Sequence, residues 1–590
     1  MNRRLSASRL NDFLGCAHHA ALWLDGVPAP ANEDASLDLV RTKGFEHEAR
    51  VLDVLEQQYG PAVSIPTSGP MEVRVAATLA AIGNEAPLIY QAAFDNGRWV
   101  GLPDFLVRKA SLTVGWVYIP EDSKLARRAK AEHVLQLGIY ATLIEQATGM
   151  PVSDGVIHVG KGEPQSFDLR QTQQVTARLM SRFEAFADEA DHKTRAIRNA
   201  SCSRCPFSSR CEAEWRAVDS PIFVAGMRVD QMMKLEAGGV QTLTALAACD
   251  PQMPVGEVAR ETFSKLVRQA SFQKRGIENG APFAELLPVE PERGLTLMPP
   301  PAPGDLFFDM EGDPLYPEGL EYLFGLWGPL GSDGSDTFHS IWAHDRDEEK
   351  RAFCDLMTLF LDHRQRYPSA HIYHYAPYEV SALKRLAMSH GVFEAEVDQM
   401  LREHLFVDLY RVARQAIMAS TEGYTLKNLE KIYWGKRAGE VTNAADSIVE
   451  YERWREVGDA TILENIALYN RDDCISTGAM RDWLEAMRPP EAVYGLSSQV
   501  DDAGRPADDT KAEERRAYAR MRTALAASVR ASSRATAEVR ELIAELLWFH
   551  DRADKPQWWA LFDRQTWTDD ELIEDLDVLN LDLEKKSIVD

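Results

Sequence analysis

Two carboxylates and a lysine near the start of the chain have the types and spacing of a metal-dependent hydrolytic site. Asp104 ends a predicted strand, and Asp122 and Lys124 lie on the next predicted strand. Side chains alternate along a strand, so Asp122 and Lys124 point to one side while Glu121 points to the other. Two strands of a hairpin can therefore bring Asp104 and Asp122 around one divalent metal ion. Lys124 would lie beside that ion, where it can orient an attacking water or stabilise charge on a phosphate.

The order of these residues resembles the PD-(D/E)xK pattern in its RecB-like nuclease branch. The resemblance takes in the upstream motif Gly44–Glu48 and the pair Gln136 and Tyr140, which share one face of a predicted helix. It implies a restriction-endonuclease-like α/β core, His47 as an added metal ligand, and the Gln/Tyr pair as substrate contacts. Pro120 departs from the pattern, because it removes a ladder hydrogen bond just before the catalytic segment and favours an edge strand or a bulge there.

Four of the seven cysteines are spaced like the ligands of one inorganic group. Cys202, Cys205 and Cys211 form C-x2-C-x5-C, and Cys16 lies far upstream of them. Four thiolates suit an iron–sulfur cluster or Zn²⁺ about equally, but a structural zinc usually takes two C-x2-C pairs. The one-plus-three arrangement resembles RecB-like nucleases of the AddB kind, which implies a [4Fe–4S] cluster that joins the two ends of the domain. Zinc and unligated thiols stay as alternatives.

A second set of acids follows a proline-rich stretch. Asp309 and Glu311 are two residues apart on a predicted strand, so they face the same way and can share two metal ions. Far downstream, Tyr469 and Asp473 are four residues apart on a predicted helix. Asp473 can complete the metal site there, and the tyrosine hydroxyl can position the attacking water. Between these motifs a strand turns into a helix that bears Glu379.

These motifs resemble the DEDD exonucleases in their tyrosine variant, especially the YprB-type domain with an RNase H-like fold. The resemblance covers about Asp305–Met487 and implies Mg²⁺ or Mn²⁺ held by the acids. The second acidic motif departs from the pattern, since the family has aspartate after an aromatic residue where this chain has Glu379. Asp408 is a further candidate, either as a ligand or as a residue that fixes its loop.

The order of the motifs predicts an α/β multidomain chain. Seven prolines between residues 281 and 304 indicate a stiff, extended linker. The predicted blocks are a RecB-like nuclease domain with a four-cysteine cluster over 1–215, a helical spacer over 216–280, the Pro-rich linker over 281–304, an RNase H-like exonuclease domain over 305–488 and a helical C-terminal region over 489–590.

Length and charge exclude few functions. The 590 residues carry 65 Lys and Arg against 91 Asp and Glu, which gives a net charge of −26. This charge argues against a nucleic-acid coat, but it does not argue against an enzyme whose carboxylates recruit metal ions. No apolar run approaches the roughly 20 residues of a membrane helix, and no apolar region follows the basic N-terminus. We therefore expect a cytoplasmic protein without membrane association.

Together the two resemblances favour a metal-dependent DNA nuclease with two phosphodiesterase centres, acting in repair, recombination or defence against foreign DNA. The implied partner is DNA, either single-stranded or at its ends. Longer members of the family that the chain resembles carry a helicase, so a helicase in cis or in trans is a second implied partner. A nucleic-acid-binding scaffold with degenerate sites and an RNA exonuclease are the alternatives, since no residue visibly reads a 2′-hydroxyl.

Overall fold

The structure is a computed structural model that describes residues 3–30, 35–111, 115–435, 444–495 and 509–565, together with Trp567 and Leu572. It has a mixed α/β architecture in which two mixed sheets are each packed by helices, as the sequence predicts. Within the described ranges, no helix is both long enough and apolar enough to cross a membrane.

The first part of the chain forms a six-stranded mixed sheet and a small three-stranded one. Its strands are β1 Leu5–Ser6, β2 Val63–Ser64, β3 Leu88–Tyr90, β4 Phe94–Asp95, β5 Trp99–Gly101, β6 Phe105–Ser111, β7 Gly115–Lys124, β8 Asp154–Val159 and β9 Gln165–Asp168. Its helices are α1 Ala7–Gly15, α2 Ala17–Leu24, α3 Ala35–Tyr59, α4 Met71–Gly83, α5 Ala131–Thr148, α6 Gln173–Ala187 and α7 Ser208–Ala217. The large sheet has the order β2-β3-β6-β7-β8-β9, and the small one β1-β5-β4.

Strand β7 lies inside the large sheet, antiparallel to β6 and parallel to β8. Of the two alternatives predicted at Pro120, the bulge is absent, because Pro120 lies opposite Leu106 with no shift of register. The edge position is present locally, because β8 pairs with β7 only from Glu121 onward and β7 has one unpaired side at the proline.

A helical segment follows, with α8 Val229–Ala237, α9 Leu243–Ala247 and α10 Arg260–Asn279. Its apolar side chains form a cluster of their own that includes Leu235, Leu246 and Phe263, each fully buried. Gly239, with a φ of 92°, turns the chain between α8 and α9 in a backbone conformation that favours glycine.

The second sheet has the order β13-β12-β11-β14-β15, with β14 and β15 parallel to β11. The strands from residue 284 onward are β10 Ala284–Leu286, β11 Leu306–Asp313, β12 Leu320–Gly328, β13 Thr337–Trp342, β14 Ile372–His374, β15 Phe406–Asp408 and β16 Ile417–Ala419. The helices are α11 Arg346–Arg366, α12 Tyr378–His390, α13 Glu394–Arg402, α14 Leu409–Ala416, α15 Leu426–Tyr433, α16 Ala444–Val457, α17 Ala460–Ala486, α18 Asp509–Ala531, α19 Ala537–Leu546 and α20 Phe549–Gln565.

The proline-rich stretch differs from the predicted extended linker. Strand β10 within it pairs antiparallel with β16, and Leu295 and Met298 are buried in the core that packs against α14 and α17. Proline density reports local stiffness, whereas the apolar residues between the prolines decide whether the segment is buried. This stretch is therefore part of the domain that follows it.

The two halves of the chain meet through α3 and α16. Lys43 Nζ lies 2.6 Å from Glu452 Oε2, and the glutamate side chain is only 3% exposed. A second contact joins Arg216 to Glu422, with a nitrogen–oxygen distance of 2.7 Å. Lys43 lies one helical turn before His47, so the interface adjoins the first group of candidate site residues.

The burial of the proline-rich stretch can be tested with two methionines of opposite exposure. Met298 is fully buried, and Met253 is 68% exposed. We expect Met298→Ala to lower the free energy of unfolding by about 2–5 kcal/mol, because it opens a cavity. The matched control Met253→Ala should stay within about 0.5 kcal/mol of the wild type. Urea unfolding followed by tryptophan fluorescence measures both, and equal midpoints would contradict the buried placement.

Candidate metal centres

Strand β11 presents acids on one face and apolar residues on the other. Phe308 and Met310 are buried in the core beneath α11, where Phe308 contacts Phe360 edge to face. Because side chains alternate along a strand, Asp309 and Glu311 must point to the opposite face, where α17 packs. The same alternation that places the core residues therefore places the acids.

Helix α17 brings a third carboxylate to this face. One oxygen from each of Asp309, Glu311 and Asp473 lies within 4.8 Å of the others. Glu311 and Asp473 are buried, with 5% and 7% of their surface exposed. Carboxylate oxygens in such a group are the donors that Mg²⁺ and Mn²⁺ prefer. The donor set therefore fits the divalent metal that the sequence predicts.

The electrostatics of the group also favour a cation. Burial and the nearby charge of Asp473 raise the pKa of Glu311 to about 8. Lys427 acts in the opposite direction, and its Nζ lies 4.9 Å from the ring centroid of Tyr469. No motif in the sequence indicates Lys427, because only the packing of α15 against α17 places it there.

Tyr469 and Glu379 occupy different positions relative to the three acids. Tyr469 lies on α17, one turn before Asp473, as predicted. Glu379 opens α12 and is not part of the three-carboxylate group, although its charge acts on the neighbouring buried thiol of Cys474. Its Oε2 atom lies 3.4 Å from His374 Nδ1. The structure therefore pairs Glu379 with a histidine and does not bring it into the group.

Asp408 fixes its loop. Its Oδ1 atom accepts hydrogen bonds of 2.9 Å from the backbone N–H groups of Tyr410 and Ala376. An aspartate that caps a helix in this way satisfies backbone donors of the first turn. Of the two roles that the sequence left open for Asp408, the structure favours the loop-fixing one.

The first group of predicted residues meets at the end of β7. The backbone N–H and the hydroxyl of Ser123 donate to Asp104 Oδ2 at 2.8 and 2.9 Å, and Lys124 Nζ pairs with Asp122 Oδ2. Burial and the charge of Asp104 raise the pKa of Asp122 to about 8. Glu121 points away from this group and contacts His158 at 2.7 Å. The predicted alternation along β7 is therefore present.

His47 and Glu48 approach the same group from α3. His47 Nε2 lies 3.0 Å from the carbonyl oxygen of His158, and burial lowers the pKa of His47. In the part of the chain that the structure describes, His47, Asp104 and Asp122 do not form a group within 4.8 Å. His47 Nε2 and Asp122 Oδ2 each have a protein partner, whereas Asp122 Oδ1 is buried and has no hydrogen-bond partner among the described residues.

Glu48 is a further acidic residue near this group, and the sequence motif that contains it predicts a role for His47 only. Its Oε1 accepts from the Tyr90 hydroxyl at 2.7 Å and from the Gln91 amide. Burial and the charge of Asp104 raise the pKa of Glu48, which places it in the same electrostatic environment as the predicted acids. Its position directly after His47 in the Gly44–Glu48 motif is the sequence feature that could have indicated a place for Glu48 near these acids.

Gln136 and Tyr140 share a face of α5, as their spacing predicts. Gln136 Nε2 donates to the Tyr140 hydroxyl at 2.6 Å. Tyr140 is 5% exposed, and burial together with the charge of Asp122 raises its pKa well above the usual range. The pair therefore lies beside the acids at the end of β7.

The four spaced cysteines line one cavity. Cys16 lies between α1 and α2 and meets Cys202, Cys205 and Cys211 there. The backbone N–H of Asn199 donates to Cys202 Sγ at 3.3 Å. Burial, with the charge of a nearby glutamate, raises the pKa of the Cys211 thiol to about 11. Among these described thiols, no three sulfur atoms lie within 4.8 Å of one another.

Comparison with known families identifies one part of the chain. Residues 306–485 match the family model of the RNase H superfamily. No curated protein matches the chain. The sheet order, the acidic group on β11 and α17, and this match define an RNase H-like domain, as the sequence predicted. A domain of this superfamily indicates a nuclease-type hydrolase.

Metal binding at the three carboxylates can be measured by its effect on stability. A cation that binds only the folded state stabilises it. We expect Mn²⁺ to raise the unfolding temperature of the wild type and to have a much smaller effect on Glu311→Gln, which lacks one charged ligand. The exposed Glu163→Gln is the matched control and should respond like the wild type. An equal response of all three proteins in differential scanning fluorimetry would contradict the site.

Proposed function

We propose that the chain is a metal-dependent nuclease whose RNase H-like centre hydrolyses phosphodiester bonds. The observation that carries this proposal is the meeting of Asp309, Glu311 and Asp473 within 4.8 Å on a domain that matches the RNase H superfamily. Close, buried carboxylates repel one another, so a site of this kind is stable when a cation is bound.

The three carboxylates would hold Mg²⁺ or Mn²⁺ and fix its position against the substrate. When bound, the metal supplies Lewis-acid activation of water and stabilises charge on the phosphate. The hydroxyl of Tyr469, one helical turn before Asp473, would position the attacking water. In the reaction a bond forms between the water oxygen and phosphorus, the bond from phosphorus to the leaving oxygen breaks, and that oxygen takes a proton.

The proposal includes a second, RecB-like centre in the first half of the chain. Asp104 and Asp122 would hold the metal ion, Lys124 would stabilise charge on the phosphate, and His47 would be an added ligand. The convergence of these residues at the end of β7 and the raised pKa of Asp122 support it. Gln136 and Tyr140 would contact the substrate beside them.

We propose DNA as the substrate, single-stranded or at its ends, because the RecB-like resemblance implies it. The process would be repair, recombination or defence against foreign DNA in the cytoplasm, with a helicase in cis or in trans as a partner. Cleavage of RNA in place of DNA would favour the RNA exonuclease, and binding without cleavage would favour the scaffold.

The four cysteines would hold a [4Fe–4S] cluster. The position of all four cysteines around one cavity supports a single group that they share, and the one-plus-three spacing in the sequence favours the cluster over zinc. Such a cluster would join Cys16, at the junction of α1 and α2, to the segment before α7 and to α7 itself, and so connect the two ends of the first domain.

Single substitutions should separate the two centres. We expect Asp309→Asn and Asp104→Asn each to reduce one cleavage activity by about 100-fold or more, because each removes a charge that holds the metal against the phosphate. End-labelled single-stranded DNA and matched RNA, with Mg²⁺ or Mn²⁺, measure both activities. The exposed Asp336→Asn should cut like the wild type. The two-centre proposal fails if both site variants also cut like the wild type.

The cluster is testable by spectroscopy on anaerobically purified protein. We expect visible absorption and bound iron in the wild type, and the loss of both in Cys205→Ala, because the variant lacks one ligand. Cys354→Ala removes an isolated cysteine and should keep both. Zinc in place of iron would support the alternative metal, and protein without either metal would leave the thiols unligated.

A further inference from the structure

Asn470 is a buried amide beside the acidic group. It lies on α17 between Tyr469 and Asp473 and is fully buried. Its Nδ2 atom donates a hydrogen bond of 2.6 Å to Asp309 Oδ2. An ionised carboxylate can only accept hydrogen bonds, so the amide nitrogen must be the atom that faces Asp309. Asn470 therefore contacts one of the proposed metal ligands directly.

The space for this amide depends on Gly325. In the β11–β12 pair, Gly325 lies directly opposite Asp309, and residues that are opposite each other share a face of the sheet. A Cβ atom at Gly325 would overlap Asn470 Oδ1. Cys474, one turn after Asn470, donates from Sγ to the carbonyl oxygen of Gly325 at 3.4 Å. The absence of a side chain at Gly325 therefore leaves the space that the Asn470 side chain occupies. We call this space, between Gly325 and Asp309, the slot.

The slot is an unfavourable place for an amide. Asn470 Oδ1 is buried and has no hydrogen-bond donor among the residues that the structure describes. An apolar side chain of the same size would avoid that unsatisfied oxygen. The amide is therefore better explained by its donor group, which contacts Asp309, than by packing.

We propose that Asn470 is a positioning residue that holds the Asp309 carboxylate oriented toward Glu311 and Asp473, and that Gly325 is required for its placement. The inference rests on the proposed metal-dependent function of this centre. The partners that orient metal ligands typically change metal affinity or activity by 10–100-fold when they are removed. Asn470 would act through Asp309 and would not touch the substrate.

Asn470→Leu separates positioning from packing, because leucine has the same number and branching of side-chain heavy atoms as asparagine but no hydrogen-bond donor. We expect the Mn²⁺ concentration for half-maximal cleavage to rise by about 10–100-fold. Cleavage should recover at saturating Mn²⁺, and the unfolding temperature of the metal-free protein should not fall. Mn²⁺ affinity measured directly by electron paramagnetic resonance should weaken by the same factor. Asn279→Leu, on an exposed helix end, is the matched control and should change none of these.

Gly325→Ala tests the slot independently. The added methyl should displace Asn470 and raise the Mn²⁺ requirement in the same direction. In the double variant Gly325→Ala/Asn470→Ala the methyl has room, so the effect should equal that of Asn470→Ala alone. If the two substitutions raised the Mn²⁺ requirement additively, the conclusion that Gly325 makes room for Asn470 would be wrong.

The outcomes distinguish this inference from the proposed function. A wild type that neither binds Mn²⁺ nor cleaves nucleic acid overturns both. A wild type that binds and cleaves, with Asn470→Leu unchanged in Mn²⁺ affinity and Mn²⁺ requirement, overturns only the positioning role.

Discussion

The RNase H-like half is organised around three carboxylates that its fold forces together. Asp309 and Glu311 cannot turn away, because Phe308 and Met310 occupy the other face of β11 in the core. Asp473 is fixed on a long helix that packs across the same face. Burial and mutual repulsion then make the charged state of the group unfavourable, which the raised pKa of Glu311 reflects. A bound cation would reverse that balance, because it would compensate the buried negative charges.

Asp122, at the end of β7, is also buried close to another acid, Asp104, so its charged state is also unfavourable, but it is compensated differently. Asp122 is as deeply buried as Glu311 and has a similarly raised pKa, but Lys124 on the same strand already pairs with it. Lys124 offsets part of the unfavourable negative charge of the buried Asp122 carboxylate, since it lowers the pKa that burial and Asp104 raise.

Residue spacing predicted the parts of the sites that depend on one element. The pairs on β11 and α17 follow from the periods of strand and helix, and the structure places them accordingly. Contacts between distant segments were not predictable in this way. Lys427, Glu48 and Asn470 reach their acids through packing between elements. The proline-rich stretch is buried because its strand β10 pairs with β16, which follows more than a hundred residues later in the sequence.

The contact between the halves links the two candidate centres. Lys43 lies one turn before His47 on α3, and its partner Glu452 adjoins Asp313, two residues after Glu311 on β11. Burial and the neighbouring Glu452 raise the pKa of Asp313 to about 7. Replacing Lys43 alone would leave the Glu452 charge buried without this partner, which costs more than the pair itself contributes. The pair therefore connects the helix that carries His47 with the surroundings of the strand that carries Glu311.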